Sequence, residues 1–435
     1  MHRMRSHPSI HFPYQESLLM PKTLQITSAT VSPALLDLPW NVPLEEWPEN
    51  IVTKLPRGIS RHIVRFVRLE NQIIAVKEIG ETVAYKEYET LRNLERLDAP
   101  CVEPFAVISG RTSDSGEALN AVLVTKHLPF SLPYRALFGQ QAMRSETVDR
   151  LIDALTVLMV RLHLLGFFWG DVSLSNTLFR RDAGEFAAYL VDAETGEIED
   201  NLSERKRSYD IDVARTNIIG ELMDLQAGGV LDEDFNAIAV GDRFERRYRE
   251  LWAELTSAES FDLSDRWRVD ARIRRLNELG FEVGEIEMST DIDGTRLSIQ
   301  PKVVDAGHYS RKIMRLTGMD VEEAQARRMM NDIDGYRAVN GLWNLPDSIV
   351  AHEWMVNVYE PAVNAIPYDL RGKLQPAQLF HEILEHRWYI SEHAGHDVPL
   401  PDAVQSYIHN VLPSHREEAT MLEREAPHDF DEYYL

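Results

Sequence analysis

The octapeptide Trp169-Gly170-Asp171-Val172-Ser173-Leu174-Ser175-Asn176 decides the fold of this chain. Before it runs Val148–Leu165, whose apolar residues recur at helix spacing and which ends at Gly166. After it come two short strand-like runs, Thr177–Phe179 and Ala188–Val191. The octapeptide is therefore a loop between an apolar helix and a strand. Its Asp-x-x-x-x-Asn spacing offers a carboxylate that can accept a hydroxyl proton, Asp171, and an amide oxygen that can bind magnesium, Asn176. Just past the second strand stands Asp192, in Tyr189-Leu190-Val191-Asp192, where a carboxylate can bridge magnesium to the β- and γ-phosphates of a nucleotide.

Towards the N-terminus, Ile63–Leu69 and Gln72–Ile79 are rich in β-branched residues and flank the turn-like Glu70-Asn71. The second run contains Ile73-Ile74-Ala75-Val76-Lys77, so Lys77 ends an apolar strand and can point its ammonium at phosphates. A charged helical pattern follows from Thr82 to Leu97, stopped by Pro100. It carries Glu87, which can hold Lys77 by an ion pair; Glu89 competes for that role. Each group alone has an ordinary reading: a snorkelling strand lysine, a solvated helix glutamate, an aspartate capping a turn. Lys77, Glu87, Asp171, Asn176 and Asp192, in that order and in those settings, are what phosphoryl transfer from ATP requires.

With these residues in place, positions 55–225 resemble a protein-kinase-like catalytic domain of the compact type. Leu162-His163-Leu164-Leu165-Gly166-Phe167-Phe168-Trp169-Gly170-Asp171 is similar to the His-x-x-Gly-x-x-His-Gly-Asp run of aminoglycoside kinases, lipopolysaccharide core kinases and RIO-type kinases. Glu87 through Pro100 resembles their helix C and the turn beyond it. The whole chain resembles an actinobacterial lipopolysaccharide kinase-like (Kdo/WaaP-type) family with a C-terminal domain of unknown function. The resemblance implies an α+β fold: a bilobal kinase-like domain, then a mainly helical C-terminal domain with a β-hairpin. It implies ATP and Mg2+ as cofactors, with Lys77 on the α/β-phosphates and Glu87 orienting it. Asp171 is then the catalytic base, and Asn176 and Asp192 are the metal ligands. Asp212, in Tyr209-Asp210-Ile211-Asp212, resembles the aspartate that braces the catalytic loop, with Asp210 as its rival.

The sequence also departs from that pattern. Trp169 replaces the usual histidine before Gly-Asp, and Ser173 stands where protein kinases have a lysine. Asp-Phe-Gly becomes Asp192-Ala193-Glu194, whose Glu194 offers a possible second metal contact. The nucleotide loop, Pro56-Arg57-Gly58-Ile59-Ser60-Arg61, holds one glycine. The stretch from Asp192 to Asp210 is too short for a long activation segment and has no Ala-Pro-Glu. A small-molecule or sugar-like acceptor is therefore favoured over a protein, with an inactive nucleotide-binding scaffold as the alternative.

The chain has 435 residues, enough for two or three domains. Acidic residues outnumber basic ones by 70 to 46, a net charge of −24 that draws neither nucleic acid nor anionic lipid to the molecule as a whole. One cysteine, Cys101, excludes an intrachain disulfide and fits a cytoplasmic setting. No run is long and apolar enough to span a membrane. P-loop, Gly-x-Gly-x-x-Gly and Gly-x-Ser-x-Gly motifs are absent. The expected division is a flexible leader over 1–35, with Met1 or Met20 as the start. A sheet-rich lobe with its lead-in covers 36–125, and a helical lobe 126–260. The C-terminal domain covers 261–412 and an acidic tail 413–435, mobile over Glu417–Leu435. In the C-terminal domain, Val283–Met288 and Arg296–Ile299 read as a hairpin about Asp293-Gly294. His381-Glu382-Ile383-Leu384-Glu385-His386 fails the zinc-protease spacings and reads as a polar helix face. Helices at Ser310–Gly318 and Val321–Met330 carry Arg311, Lys312, Arg315, Arg327 and Arg328. They read as a packed helical hairpin, with DNA binding as the weaker alternative.

Overall fold

The structure, a computed structural model, describes residues 23–418 except 31, 54, 56–61, 71, 139–144, 263–266 and 291–295. The Asn71 turn, the nucleotide loop 56–61, the Asp293-Gly294 turn, Met1 to Met20 and the tail from 419 lie outside the described residues.

The fold is mixed α+β: an antiparallel sheet with helices, followed by a mainly helical C-terminal region. The first lobe is a six-stranded sheet of β1 (Gln25–Ser28), β2 (Val52–Thr53), β3 (Ile63–Leu69), β4 (Gln72–Ile79), β5 (Pro104–Ser109) and β6 (Ala121–Lys126), with α1 (Glu81–Arg96) packed on it. The strand order is β1-β5-β6-β4-β3-β2. Strand β1 corrects one expectation. Residues 25–28 fall in the leader expected over 1–35, yet they pair with β5 from Gln25↔Ser109 to Ser28↔Ala106. The run Gln-Ile-Thr-Ser is too short and too polar to announce a strand, and the open edge of β5 supplies its hydrogen bonds.

The two faces of β4 have different tasks, because successive side chains of a strand point to opposite sides. Ile74 and Val76 face outwards into a core with Trp40, Leu44 and Trp47 of the lead-in, where the two indoles meet edge to face at 5.3 Å. Ala75 and Lys77 face the other way, onto a cavity between the lobes. Helix α1 buries Ala84, Glu87, Tyr88, Leu91 and Leu94. That is one helical stripe, and Glu87 lies in the middle of it.

The second lobe contains β7 (Ser131–Pro133), α2 (Tyr134–Phe138), α3 (Ser145–Leu164), β8 (Phe167–Phe168), β9 (Thr177–Asp182), β10 (Glu185–Leu190), β11 (Glu197–Ile198), α4 (Glu204–Ala227) and α5 (Ala237–Thr256). Between β10 and α4 only β11 intervenes, so no long activation segment exists. The chain goes on through β12 (Glu259–Asp262), α6 (Trp267–Glu278), β13 (Phe281–Thr290) and β14 (Arg296–Ala306). These three strands form one sheet in the order β12-β14-β13, so the expected hairpin gains a third strand. Leu276 and Phe281 are buried in the core of the second lobe.

A separate core starts at Ile313 and ends at Leu412. It is built by α7 (His308–Thr317), α8 (Glu323–Asn340), α9 (Asp347–Trp354), α10 (Glu360–Asn364), α11 (Pro376–Ala394) and α12 (Leu400–Asn410). The two cores meet at the turn of the β9–β10 hairpin. Asp182 accepts the amides of Ala324 and Gln325 at 3.0 and 2.7 Å, capping α8 from another domain. Tyr189 donates to Glu322 at 2.6 Å, and Gln378 accepts the Ala183 amide at 3.0 Å. Residues 413–418, the start of the acidic tail expected over 413–435, are held against the C-terminal domain. Lys373 donates to the carbonyls of Pro413 and His415, and Glu418 is buried.

Candidate active site

Lys77 is the centre of the site. Its Nζ lies 3.1 and 3.0 Å from the two oxygens of Glu87, 2.8 Å from Oδ2 of Asp192 and 3.8 Å from Glu194. Glu87 is in place because its position in the buried stripe of α1 leaves a carboxylate inside the protein, which needs a cation. Glu89, the competitor, is exposed on the other face and pairs with Arg92 at 3.7 Å. Burial acts to lower the pKa of Lys77, but the charges of Glu87 and Asp192 outweigh it and raise it. The lysine is an ammonium at any physiological pH. Burial first, and then the charge of Asp192, push Glu87 up to about 7 against the opposing pull of Lys77.

The loop 169–176 lies across the cavity from the sheet, and helix α4 holds it at three places. Asp210 accepts the amides of Trp169 and Gly170 at 2.8 and 2.7 Å, and His163 meets it at 3.2 Å. Asn217 donates to the carbonyl of Val172 at 2.9 Å. Glu221 accepts the amides of Leu174 and Ser175 at 2.8 and 2.9 Å. Spacings of seven and four residues put the three on one face of the helix. Asp210 is fully buried, whereas Asp212 is exposed on the opposite side. The brace expected at Asp212 is therefore its rival, Asp210, because a helix cannot turn both residues towards the loop. Asn217 and Glu221 escaped the sequence reading. The signal for them was the recurrence of polar residues, at helix spacing from Asp210, on an otherwise buried face.

The departures in the loop acquire physical roles. The Trp169 indole is fully buried and donates to the Asp192 carbonyl at 2.8 Å, tying the loop to the segment that carries Asp192. Ser173 accepts the Asn176 amide at 3.1 Å and closes the turn. Asn176 donates through Nδ2 to the Asp171 carbonyl at 2.9 Å and lies 3.4 Å from its carboxylate. Gly170 has a φ of +79°, a left-handed conformation that a side chain disfavours. The Glu194 amide donates to Oδ1 of Asp192 at 3.0 Å, and its carboxylate meets His62 at 2.9 Å.

Of these groups, His62, Lys77, Ser175, Asn176 and Asp192 line one cavity of about 580 Å³. Val64 and Ala75 from the sheet, and Leu178 and Val191 from the strands after the loop, give it apolar walls. Lys77, Asn176 and Asp192 are among its polar lining, with His62, Arg65, Lys126 and His127. Among the described residues, the only group of three or more His, Cys, Asp or Glu side chains close enough to share a metal ion is Glu87, Asp192 and Glu194, with ligand atoms within 4.8 Å of one another. That donor set is all carboxylate oxygen, which suits magnesium rather than a softer ion.

The other motifs lie elsewhere. His381 contacts Arg328 at 3.2 Å and Glu385 at 3.2 Å, and Glu382 accepts from Tyr407 at 2.7 Å. Three of the five basic side chains on those helices are paired: Arg311 with Glu282, Arg327 with Glu185 and Arg328 with Glu385. Burial pushes the Cys101 thiol up to about 12, which makes it a poor nucleophile.

Residues 250–412 match a family described only as a domain of unknown function, DUF4032, over less than half of the chain. No curated protein matches. A solved structure titled "WaaP in complex with acyl carrier protein" matches 52% of this chain and 99% of its own, at 16% identity and a TM-score of 0.33. A TM-score of that size does not establish a shared fold. No helix among the described residues is long and apolar enough to cross a membrane.

Proposed function

We propose that this chain is an ATP- and magnesium-dependent phosphotransferase of the kinase type, acting on a small or sugar-like hydroxyl acceptor. One observation carries the reading. A lysine ammonium is held between Glu87 and Asp192 at 2.8–3.1 Å, in the lining of a cavity that also has apolar walls. Asn176 lines the same cavity, and its neighbour Asp171 lies on the loop that α4 braces.

The apolar walls suit a flat aromatic base. Lys77 compensates the charge of the α- and β-phosphates, and Glu87 keeps it from swinging away. Asp192, Asn176 and Glu194 are the residues that would hold magnesium, which when bound neutralises charge on the transferring phosphoryl group. The Asn176 amide nitrogen is committed to the loop, which turns its oxygen into the available ligand atom. Asp171 orients the acceptor hydroxyl and takes its proton as the oxygen attacks phosphorus; the bond to the β-phosphate oxygen breaks and ADP leaves. The rest of the effect is positioning, which the rigid loop supplies. The short connection from β10 to α4 leaves little surface for docking a peptide, which favours a compact acceptor.

Calorimetric titration with MgATP tests the nucleotide site. Binding is expected for the wild type, dependent on magnesium, and much weaker for Asp192→Asn. Asp171→Asn is expected to bind MgATP normally but to lose transfer by about 10²–10⁴-fold. Absence of binding at millimolar MgATP in the wild type overturns the proposal. Binding without transfer to any hydroxyl acceptor favours the scaffold reading.

A further inference from the structure

The lining of the cavity comes from residues 45–192 with one exception among the described residues, Glu418. This glutamate belongs to the segment that follows the C-terminal core, more than two hundred residues away in sequence. It is 5% exposed. Its amide donates to the carbonyls of Gly372 and Lys373 at 3.1 and 3.2 Å, so the C-terminal domain fixes its backbone. Its carboxylate is aimed by Arg181 of β9, with Nε 2.9 Å from Oε1 and 3.1 Å from Oε2, and Nη2 2.9 Å from Oε1. Nε donates one hydrogen bond to each oxygen, so each oxygen keeps a lone pair for a further donor.

Its place along the cavity narrows what it can bind. Arg181 stands five residues beyond Asn176, about 16 Å at the rise of a strand. Strand β7 pairs Ser131 with Arg180, and Ser131 donates to the Leu128 carbonyl at 2.7 Å on the connection between the lobes. Glu418 therefore meets the cavity beside β9 and β7, and not on the strand or the segment that carry Lys77 and Asp192. A fixed carboxylate there is an acceptor for hydroxyl donors.

We propose that Glu418 is a ligand-recognition residue that the C-terminal domain lends to the nucleotide site, accepting hydrogen bonds from the sugar hydroxyls of the bound nucleotide. This rests on the phosphotransferase reading above. It makes the C-terminal domain part of the site and not an appendage, and it couples nucleotide binding to the docking of that domain, since each stabilises the other.

The experiment is calorimetric titration of the full chain with MgATP and with its 2′-deoxy and 3′-deoxy analogues. Wild type, Glu418→Ala, Glu418→Gln and Asp192→Asn are compared, each first checked by thermal melting without nucleotide. The wild type is expected to bind at least one deoxy analogue about tenfold more weakly than MgATP. Glu418→Ala is expected to bind MgATP about tenfold more weakly and to treat that analogue and MgATP alike. Glu418→Gln, which keeps an oxygen and the volume, decides the matter if the alanine variant melts early; it is expected to fall between the two. MgATP binding that Asp192→Asn removes but that neither Glu418 variant alters, with discrimination intact, overturns this proposal and leaves the phosphotransferase reading standing. Failure of the wild type to bind MgATP overturns both.

Discussion

Glu87 sets stability against activity. Its folded pKa of about 7 lies above the ordinary 4.5 because burial and Asp192 disfavour its charge. The folded protein therefore holds a proton that the unfolded chain releases between these values. The stabilising contribution is complete below about pH 4.5 and is lost as pH rises through 7. The ion pair with Lys77 needs the opposite, an ionised Glu87, so transfer is expected to rise through an acidic limb near pH 7. Glu87→Gln is expected to flatten that limb, to lower the maximal rate about tenfold or more, and to be less sensitive to pH in its melting temperature between 5 and 8. A limb near 7 that survives in Glu87→Gln assigns it to another group. Lys77 does not complicate the profile, because the net effect of its two partners raises its pKa from an already high value.

At the scale of elements, helix α4 is the template of the loop. Asp210, Asn217 and Glu221 grip the loop at its start, middle and end through five hydrogen bonds to its backbone. Glu221 acts through the loop and is a positioning residue: it holds Leu174 and Ser175, next to Asn176. Glu221→Ala leaves two amides without their acceptor and loosens Asn176. The rate at saturating ATP is expected to fall about tenfold to a hundredfold, with a higher magnesium requirement, while Glu221→Gln recovers part of both. A Glu221→Ala protein with a lower melting temperature but an unchanged magnesium dependence would show that the residue only supports the fold. Strands β3 and β4, helix α1 and the loop itself were legible because each follows a local rule: alternation, a helical stripe, a helix-loop-strand boundary. Asp212 was chosen over Asp210 because the choice depends on which way one turn of α4 faces, and that is set by packing. Strand β1 and Glu418 were not legible for the same kind of reason. One is a short polar run completed by a distant strand edge, and the other is a glutamate placed by Arg181 and by Gly372.

The core of the second lobe and the core of the C-terminal domain meet at the hairpin that begins one residue after Asn176. Strand β9 enters from the loop 169–176 and leaves at Asp182, whose carboxylate caps α8 of the C-terminal domain. Burial first, and then Glu322 beside it, push Asp182 up to about 8, although the two amides it accepts from pull the other way. The sign is that of an acid whose pKa rises on folding. Its contribution is complete below about pH 3.8 and is lost as pH rises through 8. Asp182→Asn cannot ionise, so the wild type is expected to lose stability relative to this variant as pH goes from 5 to 8. Asp182→Ala removes the acceptor from two buried amides and is expected to cost about 2–3 kcal/mol. Because the capped helix belongs to the second core, that loss should separate the two cores in urea unfolding. A single wild-type transition should become two, the earlier one belonging to the C-terminal domain. A single, merely shifted transition in Asp182→Ala means that the Asp182 cap is not the joint and that the other contacts, such as Arg181 with Glu418, hold the domains together.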